Sequence, residues 1–137
     1  MKIMKYVLIF LVIHFSTFAQ YPETLSLGSP APDFNLKGTN GKYFSLADFK
    51  KSPVLAVLFT CNHCPTAQAY EDRILKLVAD YGPKGFDLVA ISSNDPSAIR
   101  LDELGYTDLS DTYEEMVVRA KDKHYNFPYL YDGDTQE

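Results

Sequence analysis

Val54-Leu55-Ala56-Val57-Leu58-Phe59-Thr60 runs without a charge into Cys61-Asn62-His63-Cys64-Pro65. An unbroken apolar run of this length reads as a central strand buried on both faces. A helical period follows it. Tyr70, Ile74, Leu77, Val78 and Tyr81 fall at i, i+4, i+7, i+8 and i+11 and make one apolar stripe, with Glu71, Asp72, Arg73 and Lys76 on other faces. Gly82-Pro83 is the expected stop. Phe86 to Ser92, FDLVAIS, reads as a second buried strand. Strand, helix and strand in this order predict a right-handed βαβ unit with parallel strands.

Upstream, Phe34-Asn35-Leu36 and Lys42-Tyr43-Phe44 flank a segment that ends in Asn40-Gly41, a strong hairpin signal. Ser45 to Lys50 fits a single helical turn. Downstream, Asp95 is placed to cap a turn beginning at Pro96. A longer helix is expected from near Asp111, where Asp111 and Glu114 have the spacing of a capping box and Met116, Val117 and Ala120 share a face. Phe127 to Tyr131 reads as a third strand, and Asp132-Gly133-Asp134 as a turn.

The chain has 137 residues, 46% of them hydrophobic, which fits one globular domain and excludes disorder and collagen-like repeats. Thirteen basic against eighteen acidic side chains give a net charge of −5, so a nucleic-acid partner has no electrostatic support. Two cysteines are too few for a disulfide framework or a four-cysteine zinc site.

Residues 1–19 stand apart. Lys2 and Lys5 precede an apolar run from Tyr6 to Phe15, and small residues follow at Thr17 and Ala19. This is the pattern of a secretory signal peptide. The run is short of the roughly 20 residues a spanning helix needs. Residues 20–137 are thus expected to be exported to a periplasm or beyond, where thiols can be oxidised, with no membrane association after cleavage.

The chemistry lies in Cys61-Asn62-His63-Cys64-Pro65, between a strand and a helix. Helix N-termini stabilise anions, and a thiolate is one, so cysteines there ionise well below their usual pKa of about 8.5. On this reading Cys61, at the exposed end, attacks a disulfide, and Cys64, one turn in, resolves the mixed disulfide. Pro65 lacks an N–H that the first helical turn does not use. A purely structural disulfide is the weaker reading, because closing so short a loop contributes only about 2 kcal/mol. His63 can stand, protonated, near the Cys61 thiolate and make the disulfide a stronger oxidant; the alternative is a loop histidine with little effect. Haem attachment needs the order C-x-x-C-H and is rejected. A copper or zinc site of Cys61, Cys64 and His124 is conceivable, but His124 lies near the end of a polar helix and reads as a solvated surface residue. No metal and no cofactor beyond the dithiol are expected.

These residues resemble the thioredoxin superfamily, in particular its redoxin branch, which also holds alkyl hydroperoxide reductase/thiol-specific antioxidant proteins and exported thiol–disulfide oxidoreductases. The resemblance covers about residues 26–137. Gly28-Ser29-Pro30-Ala31-Pro32-Asp33-Phe34 looks like the entry motif G-x-x-A-P-x-F, and the strand and C-x-x-C follow in the family's order. The resemblance implies an α/β, thioredoxin-like fold: a central mixed sheet with the βαβ unit and an N-terminal β-hairpin. It implies Cys61 as nucleophile, Cys64 as resolving thiol, and protein thiols or disulfides as partners.

The sequence departs from the family pattern in three places. Thr60 stands where thioredoxins usually have Trp. The peroxiredoxin pattern P-x-x-x-T-x-x-C fits neither cysteine, since its Pro and Thr positions hold Val57 and Cys61, or Val54 and Leu58. This disfavours a thiol peroxidase, which remains the first alternative; a copper or other metal-binding thiol protein is the second. Finally, the family's cis-proline strand, the strand after it and its last helix have no counterpart before Glu137. Residues 20–137 are therefore expected to form a redoxin domain that lacks the C-terminal strands and helix, with low stability and weak activity.

Overall fold

The computed structural model describes residues 24–106 and 109–136. The expected signal peptide, residues 1–19, lies outside the described residues. The described chain up to Ala31 forms a unit of its own, in which the Ser29 amide donates to the Ser26 carbonyl at 3.0 Å. The second unit begins at Pro32.

In the second unit, β1 (Leu36–Gly38) and β2 (Tyr43–Phe44) form the expected hairpin. The Asn40 side chain accepts from the Lys42 amide at 3.0 Å, and the Gly38 amide donates to the Lys42 carbonyl at 2.8 Å. The helical turn is a 3-10 turn, Leu46–Phe49. Asp48 Oδ2 accepts from the Ser45 amide at 2.7 Å and from its hydroxyl at 3.1 Å, which fixes the turn and drives Phe49 into the core. Asp33, from the entry motif, accepts from the Leu46 amide at 3.1 Å and ties the segment before the hairpin to this turn.

Next come β3 (Val54–Phe59), α1 (Pro65–Tyr81), β4 (Phe86–Ser92), α2 (Tyr113–Asp122) and β5 (Tyr129–Tyr131). The sheet order is β2-β1-β5-β4-β3. β3 and β4 are parallel, in a register from Val54↔Phe86 to Phe59↔Ile91. β5 is parallel to β4 and antiparallel to β1, so the sheet is mixed. This is the expected α/β architecture with its βαβ unit.

β4 is the buried centre. Val89 and Ile91 point to one face, with Leu36, Phe49 and Leu130. Leu88 and Ala90 point to the other, where Ile74 and Val78 of α1 and Met116 and Ala120 of α2 cover them. β3 corrects the expectation of a strand buried on both faces. It is an edge strand among the described residues, and Val54, Val57 and Phe59 are exposed. An apolar run cannot distinguish these positions, because both give uncharged β-branched and aromatic residues.

The helices bring four further corrections. Only part of the α1 stripe is core: Ile74 and Val78 pack inward, while Tyr70, Leu77 and Tyr81 are exposed. Glu71, placed off the apolar stripe, is buried. It meets Arg119 Nε at 2.7 Å, Lys123 Nζ at 3.6 Å and the Tyr125 hydroxyl at 2.5 Å, which staples α1 to α2. Gly82-Pro83 does not end the coil at once but tightens it into a 3-10 turn, Gly82–Lys84; Gly85, at φ 89°, makes the left-handed exit. The cap of α2 is Thr112 with Glu115, one residue later than Asp111 with Glu114. Thr112 Oγ1 lies 3.3 Å from the Glu115 amide and 2.8 Å from its carboxylate. Asp95 caps Pro96–Ala98 as expected, through the Ser97 amide at 2.8 Å. Among the described residues no helix is long and apolar enough to cross a membrane.

Candidate functional site

The segment Cys61–Cys64 leaves the C-terminal end of β3, where the Thr60 amide still donates to the Ile91 carbonyl at 3.0 Å. A buried polar network holds it. Asn62 is 1% exposed and bonded on every side. Its amide donates to Asp111 Oδ1 at 2.6 Å and its Nδ2 to the Ser110 carbonyl at 2.6 Å. Its Oδ1 accepts from the Tyr129 hydroxyl at 3.2 Å, and its carbonyl accepts from Gln68 Nε2 at 2.9 Å. Burial and the charge of Asp111 push the Tyr129 phenol far above its ordinary range, so it stays a donor.

Asp111 is the centre of this network and is wholly buried. Oδ1 accepts from the amides of Asn62 and His63, at 2.6 and 3.4 Å. Oδ2 lies 2.8 Å from His63 Nδ1 and 2.8 Å from Asn94 Nδ2. A carboxylate in this position places the imidazole proton on Nδ1 and leaves Nε2 as the basic nitrogen. The Cys61 Sγ, a His63 ring nitrogen and an Asp111 oxygen all lie within 4.8 Å of one another. Among the described residues, that is the group able to hold a metal; His124 is exposed just beyond α2 and is not part of it. Asn94 is held in turn by close packing: a Cβ on Gly133 would come within 2.6 Å of the Asn94 carbonyl.

Both cysteines are free, half-buried thiols. The structure brings Cys61, His63 and Cys64 together but reverses the expected electrostatics. Cys64, not Cys61, is the N-cap of α1, with Pro65 at the first helical position. The amides of Ala67 and Thr66 donate to the Cys64 sulfur and lower its pKa. Burial raises the pKa of Cys61; the Cys64 amide and Asn94 oppose that rise, and the Asp111 charge adds to it. The spacing gave no sign of this, because the helix begins four residues after the first cysteine, with the second as its N-cap.

Two grooves meet at the pair. One, of about 460 Å³, is lined by Cys61, His63, Cys64 and Asn94 among others. The other, of about 420 Å³, is apolar and runs along β3 and α1 past Leu58, Phe59, Tyr70 and Ile74. Sequence reasoning missed Asp111 and Asn94. Asp111 was legible only as a helix cap, and nothing in the linear order ties it to a loop 49 residues earlier.

Comparison with known proteins supports this fold. The structure resembles a hypothetical protein of Sinorhizobium meliloti 1021, with a TM-score of 0.68 and 37% identity, covering 80% of this chain and 55% of that one. It also resembles an uncharacterized conserved protein of Geobacillus kaustophilus, with a TM-score of 0.70 and 38% identity, covering 83% of this chain and 56% of that one. A putative protein disulfide isomerase of Bacteroides thetaiotaomicron, 22% identical with a TM-score of 0.58 over 79% of this chain and 58% of that one, shares the fold. The molecule is therefore a thioredoxin-like α/β protein of the redoxin type. The chain belongs to the AhpC/TSA family, which matches residues 27–137. In sequence it is 34% identical over 95 residues to the chloroplastic peroxiredoxin Q of Gentiana triflora, which covers 64% of this chain and 42% of that protein. The chain thus spans little more than half the length of these solved relatives, and less of the peroxiredoxin. The family and the peroxiredoxin relative support a thiol redox function in general.

Proposed function

We propose that the protein is a thiol–disulfide oxidoreductase that exchanges disulfides with protein thiols through Cys61 and Cys64. The observation that carries this reading is the pairing of two unlike thiols: a half-buried Cys61 beside the His63–Asp111 pair, and an acidified Cys64 at a helix N-terminus. A thiol of higher pKa is the stronger nucleophile once deprotonated, and one of lower pKa is the better leaving group. Cys61 loses its proton to His63, which Asp111 orients, and attacks the partner's disulfide. A Cys61–partner disulfide forms, and the partner's other sulfur leaves and takes up the proton. The Cys64 thiolate then attacks Cys61 Sγ, the internal disulfide forms, and the second partner thiol is released. The partner is reduced by two electrons and the dithiol oxidised by two. In the reverse direction an incoming thiolate attacks Cys61, and Cys64 departs as a thiolate stabilised by the Thr66 and Ala67 amides. On this reading His63 also tunes the potential of the pair.

The test is insulin reduction by the full chain. Cys61→Ser is expected to abolish it, and Cys64→Ser to accumulate mixed disulfides on Cys61. Mixed disulfides trapped instead by Cys61→Ser would reverse the roles. The similarity to a peroxiredoxin favours a second reading, a thiol peroxidase. Hydrogen peroxide consumed with turnover, without insulin reduction, would establish that one. The Lys2 and Lys5 charges followed by an apolar run support export to an oxidising compartment; fractionation of expressing cells checks it.

A further inference from the structure

Asp111 is a buried carboxylate with an uncommon set of partners. Among the described residues it meets two main-chain amides, the Asn94 side chain and the His63 ring, and no lysine or arginine. Burying an ionised carboxylate costs several kcal/mol unless a positive charge or a metal compensates. An imidazole brings a positive charge only when protonated. The other two donors on hand, a cysteine sulfur and an imidazole nitrogen, stand with the carboxylate inside a 4.8 Å triangle. The amides of Asn62 and His63 on Oδ1 and the side chain of Asn94 on Oδ2 fix that carboxylate, as outer partners fix metal-ligating carboxylates.

We propose that Cys61, His63 and Asp111 of the reduced protein bind one Zn²⁺ ion. Thiolate, imidazole and carboxylate are all zinc donors, with bond lengths of about 2.0–2.3 Å. A tetrahedral ion at those distances sets its ligand atoms about 3.3–3.6 Å apart. The triangle already brackets that spacing, and His63 and Asp111, now 2.8 Å apart, need to separate by only about half an ångström. The metal takes the place of the proton between His63 and Asp111 and of the thiol proton of Cys61. Three protein ligands leave a fourth position, which opens onto the 460 Å³ groove and suits a water molecule.

The site uses Cys61, so it rests on the same sulfur as the exchange reading, and the two states exclude each other. A partner disulfide discharges the metal. The zinc-bound Cys61 thiolate and the Cys64 thiol, with one proton, reduce it to two thiols. The internal disulfide forms and Zn²⁺ is released. Bound zinc accordingly protects the dithiol from oxidation, and oxidation frees the ion.

The experiment titrates the reduced full chain with Co²⁺ as a spectroscopic probe and then displaces it with Zn²⁺. One ion per chain is expected, with a thiolate-to-cobalt charge-transfer band and the intense visible bands of four-coordination. Cys61→Ser should lose the charge-transfer band. His63→Gln and Asp111→Asn should each weaken Zn²⁺ by at least about tenfold, while Cys64→Ser and His124→Gln bind as the parent does. His63→Gln carries the test if Asp111→Asn disturbs the loop, which near-UV circular dichroism reveals. Unchanged affinity in His63→Gln, equal binding by the oxidised protein, or loss of binding in Cys64→Ser would overturn the proposal. Insulin reduction without metal binding defeats the zinc site alone; metal binding without insulin reduction defeats the exchange reading alone.

Discussion

Glu71 and Asp111 are both buried carboxylates, each reached from an element far away in sequence, yet they are neutralised in opposite ways. Glu71 has permanent cations, Arg119 at 2.7 Å and Lys123 at 3.6 Å, and a phenol whose ionisation its burial and the Glu71 charge suppress. Asp111 has amides and one imidazole. A carboxylate tied to arginine is finished as a chemical group: its charge is matched and its lone pairs are taken. One facing an imidazole keeps a proton that can move. The two sites are the structural and the chemical use of the same functional group.

Breaking the first should give the largest effect on stability. Glu71→Ala leaves Arg119 buried without its counter-charge and should cost about 3–5 kcal/mol in chemical unfolding. The double substitution Glu71→Leu with Arg119→Met should recover most of that loss, because an apolar pair of similar volume has no charge to desolvate. The folded fraction of either variant should exchange disulfides at the parental rate, since neither residue touches the cysteines. A lost rate without lost stability would erase the contrast.

Breaking the second should act on chemistry. His63→Gln should slow insulin reduction by about 100-fold, the scale of a lost general base. Asp111→Asn should slow it too, while moving the Cys61 pKa down, because the charge that raises it is gone. Alkylation followed against pH reads the pKa, and steady-state turnover reads the rate. If Asp111→Asn lowers the Cys61 pKa and speeds exchange, thiolate supply governs the reaction and His63 is not the base.

The smallest effect sharpens the difference between the two thiols. Cys64 has a lowered folded pKa, so the unfolded chain binds more protons between that value and its own of about 8.5, and stability rises with pH in that window. Cys61 has a raised folded pKa, so its contribution is present below about 8.5 and is lost as pH climbs through the folded value. Stability of the reduced protein should therefore peak near pH 8.5. Cys64→Ser should flatten the rising limb, and Cys61→Ser the falling one. Urea midpoints measured across pH check both.

The sequence made the alternation of strand, helix and strand legible, because hydrophobic periodicity reports local geometry. Asn40-Gly41, the turn over Ser45–Lys50, and Asp95 before Pro96 all act through neighbours within a few residues, and the structure keeps each one. What depends on distant partners was not legible. The edge position of β3 follows from which strands pair, not from its composition. Glu71 sits among charged residues in sequence and is buried only because Arg119 and Tyr125 arrive from elsewhere. In the site, Cys61, His63 and Cys64 announce themselves by spacing. Asp111 and Asn94 do not, since their types are as common in caps and turns, and Asp111 has the spacing of a helix cap with Glu114.

The hydrogen bond from the Asn62 amide to Asp111 spans 49 residues, and that from the Tyr129 hydroxyl to Asn62 spans 67. At synthesis rates of about 5–20 residues per second, 49 residues take roughly 2–10 s. For that interval a growing chain already carries both thiols but lacks the carboxylate that orients the imidazole between them. The cysteines are made early and their chemistry late. The chain's reactivity thus has a clock set by the ribosome, and a pause between codons 64 and 111 would prolong the time in which the two sulfurs behave as ordinary thiols.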